Sequence, residues 1–441
     1  MTVAGFLERV GEITWGPWTA LAIAAAGCWL SVRTGWVQLA GAKRWWSATA
    51  GTIFSLRKQK KNGISPFQSA TAALAGSLGT GNIVGVAVAI TTGGPGAIFW
   101  MWIAAIPGMA IAYSENVLGI RYRQKNEEGR WLGGPMLYMS RGLGLKRLAA
   151  VWAAICSVAA LCLGNIVQVN SIAAAADEAW GIPALAAGAV IAAAAAPAVL
   201  GGARSVTRLT EGLVPFMAVA YILACLGVVA VNIERLPEAL LRIVTEAFRP
   251  TAVTGGMLGT MLVGVRRGVF TNEAGMGTSV LIHCTAEVEH PEEQGFWSIF
   301  EVFVDTMLMC TLTALAILTS GADRTAQGAA MTAEAFRQIF GSFSESFSAA
   351  ATLLFAFATV VGWSCCGERS VAYLLGEGAT VWYRVLYVAL IIPGCVMNTG
   401  AVWAASDIFN ALLMLPNLAV VAVLMSRERK KATPHNSRAS A

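Results

Sequence analysis

Charge is scarce in this sequence. Only 13% of its 441 residues are Asp, Glu, Lys or Arg, where a soluble protein carries roughly 25%. That shortage argues against a soluble domain. Apolar runs of about 20 residues take its place and mark a chain that crosses a bilayer many times. Histidine is scarcer still, at three copies. His283 and His290 are expected at a cytoplasmic edge and His435 in the C-terminal tail, so the spans offer no Ser–His pair for a membrane enzyme. Paired cysteines are missing too. The nine cysteines lie almost all in apolar segments, none in a CxxC pair, and read as small core hydrophobes. The opening MTVAGFLERVGEITWGPW lacks a basic n-region and a small-residue cleavage site, so no signal peptide is read. The net charge of +6 sits in loops between spans and reads as topology, not as nucleic-acid binding.

What is present is an all-α polytopic membrane protein. Eleven spans are expected near 14–34, 64–91, 93–120, 148–175, 182–202, 211–232, 252–283, 296–320, 344–372, 380–397 and 402–425. Basic residues fix their orientation. The loop after the first span holds Arg33, Lys43, Arg44, Arg57, Lys58, Lys60 and Lys61. The loop after the third holds Arg121, Arg123, Lys125, Arg130, Arg141, Lys146 and Arg147. With Arg427, Arg429, Lys430 and Lys431 of the tail, all three fall on one side of eleven alternating spans. That side is read as cytoplasmic, with the N-terminus outside and the C-terminus inside.

Two spans are built to come apart. GSLGTGNIVG (Gly76–Gly85) interrupts the second, and GGMLGTMLVGVRRGVFTNEAGMGTS interrupts the seventh. With the first span set aside as an extra helix, these are positions one and six of ten. That placement predicts a five-plus-five inverted repeat with its binding site at the breaks. The chain divides into an N-terminal extra helix (1–40), a basic cytoplasmic loop (41–63), two five-helix repeats (64–232 and 233–425) and a cytoplasmic tail (426–441).

Unwinding a helix at mid-membrane frees backbone groups, which is tolerable only where they line a cavity. The N–H groups of Thr80 to Asn82 suit a carboxylate at the positive end of the following half-helix. The carbonyls of Ala75 and Leu78 suit a cation, and the Asn82 amide suits either. The competing reading is close helix packing through small residues. In VGVRRGVFTNEAGMGTS, Gly264 to Gly268 is the expected second unwound stretch. Arg266 and Arg267 are then placed toward the cytoplasm as gate residues, paired with Glu273 or with another helix; the alternative is an ordinary cytoplasmic edge. Phe270 is core or pocket wall. In GNIVQVNS, Asn165, Gln168 and Ser171 share one helix face, for a ligand or for interhelical hydrogen bonds. In FAFATVVGWSCCGERS, Thr359 offers a hard oxygen suited to sodium, Trp363 can wall a small pocket, and Glu368 and Arg369 mark a cytoplasmic end. Asp305 in FVDTMLMCTLT is a carboxylate inside a span: a cation ligand, a proton relay, or a partner for an arginine. Glu115 in AYSENVLG is expected near the cytoplasmic end.

Six stretches together resemble the alanine or glycine:cation symporter family, the sodium:alanine symporters: GNIVGVAVAITTGGPGAIFWMW, GGPMLYM, LGNIVQVNS, RRGVFTNEAGMGTS, FVDTMLMCTLTALAIL and FAFATVVGWS. They span most of the chain in matching order. The resemblance implies a leucine-transporter type of fold with an extra N-terminal helix, importing alanine or glycine with sodium. It implies substrate contacts from Thr80, Gly81, Asn82, Gln168 and Trp363, and sodium beside Thr359 and the carbonyls of Ala75 and Leu78. Gly79 and Phe270 join the substrate candidates, and Arg266, Arg267, Glu273 and Asp305 the gating or coupling candidates, from the residues themselves. No cofactor is implied; sodium is a co-transported ligand, and the setting is the plasma-membrane bilayer. A proton-coupled symporter of the same fold is the alternative, with Asp305 as its carrier. Ser364 to Gly367 reads Ser-Cys-Cys-Gly where the family has Ser-Tyr-Tyr-Gly, and Thr271 stands where serine is commoner.

Overall fold

The computed structural model describes residues 3–53, 63–126, 129, 131–249 and 256–431. Arg57, Lys58, Lys60 and Lys61 of the basic loop, Arg130, the start of the span expected from 252, and tail residues 432–441 lie outside the described residues. So do the side chains of Arg429, Lys430 and Lys431.

Helices make up the chain. A short helix α1 (Val3–Thr14) turns at Trp15–Gly16 into α2 (Pro17–Arg33), and α3 (Ala42–Ala48) follows inside the segment expected as a loop. The first broken span starts on a signal visible in the sequence. Ser65 accepts a hydrogen bond from the Gln68 N–H, the Gln68 side chain accepts one from the Ser65 N–H, and Pro66 occupies the first turn. This reciprocal cap launches α4 (Pro66–Ser77), which unwinds and resumes as α5 (Val84–Gly93). Next come α6 (Gly96–Tyr122), α7 (Lys146–Trp180), α8 (Ala184–Leu200) and α9 (Ala203–Val231). An amphipathic helix α10 (Leu236–Glu246) leads to the second broken span, α11 (Gly256–Asn272) and α12 (Thr278–His283). The last five are α13 (Pro291–Ser320), a second amphipathic helix α14 (Ala330–Phe340), α15 (Ser344–Leu375), α16 (Ala379–Cys395) and α17 (Thr399–Lys431).

Among the described residues, seven helices are long and apolar enough to cross a membrane in one piece. The remaining expected spans are the two broken ones and the shorter apolar helices α8 and α16. The helices pack in two groups. In one, α6 lies against α11 and α13. In the other, α7 packs on α15, and α8 packs on α16. The first half-helix, α4, sits between α9 and α15, so the break lies where the groups meet.

The second break is not where the sequence suggested. Helix α11 runs unbroken through Gly264 and Gly268 to Asn272, and the chain unwinds at Glu273–Gly277. Gly275 (φ 93°) and Gly277 (φ 79°) take left-handed conformations, and Glu273 takes one too (φ 54°). Gly264 has a different task. A Cβ there would lie 2.3 Å from the Ala97 carbonyl oxygen and 2.6 Å from Trp100 Cβ on α6, so it permits close helix contact. Gly264→Ala is therefore expected to cost about 2 kcal/mol by overpacking. A fall of several degrees in melting temperature, measured on purified protein, is the check.

Candidate functional site

The two breaks lie side by side. A Cβ on Gly81 would meet Thr271 Cγ2 at 2.6 Å and the Phe270 ring at 3.3 Å. Between them and α7 and α15 is a cavity of about 20 Å³, room for roughly one water. Gly76, Gly79 and Gly81 line it from the first break, Phe270 and Glu273 from the second. Leu163 and Gln168 face it from α7, Thr359 and Trp363 from α15, and Asn410 from α17.

Backbone groups freed by the first break point into this region. The Gly79 N–H turns back to the Ser77 carbonyl (2.8 Å), so the Ala75 carbonyl loses its helical partner and accepts the Thr359 hydroxyl instead at 3.0 Å. Among the described residues, no hydrogen bond reaches the Leu78 carbonyl or leaves the Gly81 N–H. The Thr80 N–H donates to Gln168 Oε1 at 3.3 Å, while the Thr80 hydroxyl is buried without a partner. One edge of the site thus carries carbonyl and hydroxyl oxygens, and the next carries N–H groups.

Asn82 lies apart from the cavity lining. Its amide donates to Asp305 Oδ1 at 2.7 Å and to the Asp305 carbonyl at 3.1 Å. Among the described residues, Asp305 pairs with no arginine. Its Oδ2 accepts the Thr306 hydroxyl at 2.8 Å, and Thr306 in turn accepts the Asn272 amide at 3.1 Å. One buried carboxylate therefore joins the first break to the last turn before the second. Helix α13 widens into π-helical turns over Phe303–Cys310, which carries Asp305, a distortion frequent at functional sites.

Glu273 is not an arginine partner either. Its two oxygens accept the Trp363 indole N–H (2.7 Å) and the Thr278 hydroxyl (2.6 Å), clamping the second break to α15. Glu115 is fully buried, seven residues before the Tyr122 end of α6. Its Oε2 accepts the Gly275 N–H at 3.3 Å, and its Oε1 accepts the Asn417 amide. Asn417 also donates to the Gly275 carbonyl (2.9 Å), and Tyr138, from the GGPMLYM stretch, donates to Asn417. A polar chain thus holds both faces of the Gly275 peptide. His283 is likewise buried, not at an edge. It shares a hydrogen bond with Glu301 (2.8 Å), and the Ser77 hydroxyl donates to the same carboxylate (3.3 Å). Glu301, Asn410, Asn417 and Tyr138 were absent from the sequence-based site. Glu301, Asn410 and Asn417 had only polarity within an apolar span as a signal, and Tyr138 lay in a segment expected as a loop.

The comparisons with known proteins agree in kind. A family model described as "Sodium:alanine symporter family" matches residues 1–439. The chain belongs to the sodium:alanine symporter family. It is 37% identical over 432 residues to the sodium/alanine symporter AgcS of Methanococcus maripaludis, covering 95% of this chain and 94% of that one. It is 38% identical over 370 residues to the probable sodium/glutamine symporter GlnT of Bacillus subtilis, covering 83% and 77%. Among solved structures it is similar to MhsT in complex with L-phenylalanine. The TM-score is 0.58 at 14% identity, over 82% of this chain and 89% of that one. The fold is the leucine-transporter type, and the protein is a multi-pass membrane amino-acid symporter, not an enzyme.

In this symporter Arg266 and Arg267 lie on the α11 side of the second break, across it from the half-helix α12. They therefore do not face the end that carries the basic loops. Arg266 forms an ion pair with Asp407 of α17. The Arg267 guanidinium lies over the Trp403 ring at 5.1 Å, and Phe270 packs on the same ring at 5.1 Å. Phe270 carries these contacts to the cavity that it lines. At the opposite end of the second broken span, Arg123 donates to the carbonyls of Cys284 (2.9 Å) and Ala286 (2.6 Å), and Arg369 to that of Leu281 (2.5 Å). Two cations thus cap the negative end of α12. Glu368 pairs with Arg384 of α16 at 2.5 Å. Cys365 and Cys366 are buried packing residues.

Proposed function

We propose that this symporter imports alanine, glycine or both together with sodium across the plasma membrane, N-terminus outside and C-terminus cytoplasmic. The observation that carries the reading is the freed backbone of the first break. The Ala75 and Leu78 carbonyls and the Thr359 hydroxyl supply hard oxygens for sodium. The Gly81 N–H, the positive end of α5 and the Thr80 hydroxyl suit an amino-acid carboxylate. Gln168 and Glu273 are within the same cavity to meet its ammonium group. Leu163 and Trp363 leave little volume beside them, which favours a methyl group or hydrogen as the side chain. Ion and substrate both stabilise one broken helix, so each raises the affinity for the other by the same factor. Arg266, Arg267, Phe270, Trp403 and Asp407 form the outer gate, and the helix groups rock about the site to expose it alternately.

The test is uptake by reconstituted protein of L-alanine, D-alanine, glycine and L-glutamine, with and without a sodium gradient. Sodium-dependent uptake of alanine or glycine is expected. Undiminished uptake without sodium would overturn the coupling, and if it rose with an inward proton gradient it would favour the proton-coupled alternative, for which the buried Asp305 is the carrier. Preference for glutamine would overturn the small-substrate assignment. Within the same assay, Thr359→Val removes one sodium oxygen without changing shape. It is expected to raise the half-saturating sodium concentration about tenfold, the worth of one charge-assisted contact. Maximal uptake at saturating sodium should change little.

A further inference from the structure

The N-terminal helix pair lies outside the ten-helix core, and the functional reading above gives it no part. Its contacts are specific. Helix α1 packs along α17. Trp15, the residue at its end, is only 5% exposed, and its indole N–H donates to the Asp407 carbonyl at 2.7 Å. Gly11, one turn earlier, brings α1 so near the gate that a Cβ there would lie 3.8 Å from Arg266 Nη2 and 3.7 Å from the Ala404 carbonyl. Two points of one small element, Trp15 and Gly11, therefore converge on the Arg266–Asp407 pair.

The pair itself is incompletely satisfied. Arg266 Nε and Asp407 Oδ1 are both buried without a hydrogen-bond partner. A pair held by few contacts depends on how firmly its backbone is placed. Trp15 anchors the backbone of Asp407 directly.

We propose that Trp15 is a positioning residue of the outer gate: by holding the Asp407 backbone it keeps the carboxylate in place for Arg266. The N-terminal helix pair is then a latch that favours the closed gate, not only a membrane anchor. The proposal rests on the gate reading given above.

The test uses full-length protein in intact cells and a readout independent of transport. Asn410 lines the cavity one turn below Asp407, so a thiol introduced by Asn410→Cys is reached from outside only when the gate opens. The background carries Cys28→Ser to remove the exposed native thiol, and labelling is by a membrane-impermeant maleimide. Trp15→Phe keeps the ring and loses the hydrogen bond; it is expected to raise the labelling rate about fivefold, the worth of one hydrogen bond. Trp15→Leu, which also lacks the donor, is expected to raise it at least as much. Trp18→Phe, at a side chain 53% exposed at the start of α2, is expected to leave it unchanged. Asp407→Asn separates the two ideas. If it raises labelling while Trp15→Phe and Trp15→Leu do not, the latch is overturned and the gate stands. If Asp407→Asn has no effect, the gate reading itself fails. Should Trp15→Phe not fold, Trp15→Leu decides, and an unchanged rate there overturns the latch.

Discussion

Asp305→Ala is expected to lower sodium-dependent uptake by about 100-fold, with the protein still folded in the membrane. The carboxylate is fully buried and accepts two hydrogen bonds, from Asn82 and from Thr306. Removing it leaves the Thr306 hydroxyl without this acceptor and the Asn82 amide with only the Asp305 carbonyl and the Cys310 sulfur, and Asn82 Oδ1 already lacks a partner. Each orphaned buried group costs about 1–3 kcal/mol, and together they release the first break from α13 and, through Thr306, from Asn272. Asp305→Asn preserves the shape and one acceptor, so an intermediate loss is expected. Initial uptake rates, corrected for the amount of monodisperse protein, are the measurement. An alanine variant within threefold of wild type would remove Asp305 from coupling.

Gly79→Val is expected to abolish uptake almost completely. A Cβ at this position lies 2.6 Å from the Thr359 hydroxyl and 3.2 Å from Gln168 Oε1. The branched side chain would occupy the space between the proposed sodium oxygens and the proposed substrate amide, and neither neighbour is free to leave. Thr359 is held by the Ala75 and Phe355 carbonyls, and Gln168 by the Leu163 carbonyl. Gly85→Ala is the contrast. The nearest atom to its Cβ is the Thr80 carbonyl oxygen at 3.9 Å, and alanine favours helix by about 1 kcal/mol. Near-wild-type uptake is expected there. Equal losses in the two variants would show that backbone freedom, not space, governs this segment.

Much of this protein was legible in its sequence because a membrane makes local anomalies expensive. Glycine, threonine and asparagine clustered in the middle of Ser69–Ile90 have no cheap explanation in a continuous helix, and the Ser65–Gln68 cap marks where that helix begins. The positions of two interrupted spans among ten were enough to anticipate the repeat. Gln168 on a polar face with Asn165 and Ser171, Thr359 and Trp363 four residues apart, and Phe270 as core or pocket wall were all singled out in the sequence, and the fold brings these four to one cavity.

The tertiary structure decided what depends on partners distant along the chain. Gly264 and Gly268 look locally as capable of a break as Gly275 and Gly277. Close contact of Gly264 with Ala97 and Trp100 keeps the first pair helical, whereas Glu115 and Asn417 grip the Gly275 peptide and hold the second pair open. The same logic assigned Arg266 to Asp407 and Glu273 to Trp363, an exchange no spacing rule could reveal. Glu301, Tyr138 and Asn417 are single polar residues without a periodic pattern, and each acquires its meaning from a hydrogen bond across helices. The sequence by itself determined that two helices would break, since that cost is local; only the packed structure determined where the second one breaks and what holds both.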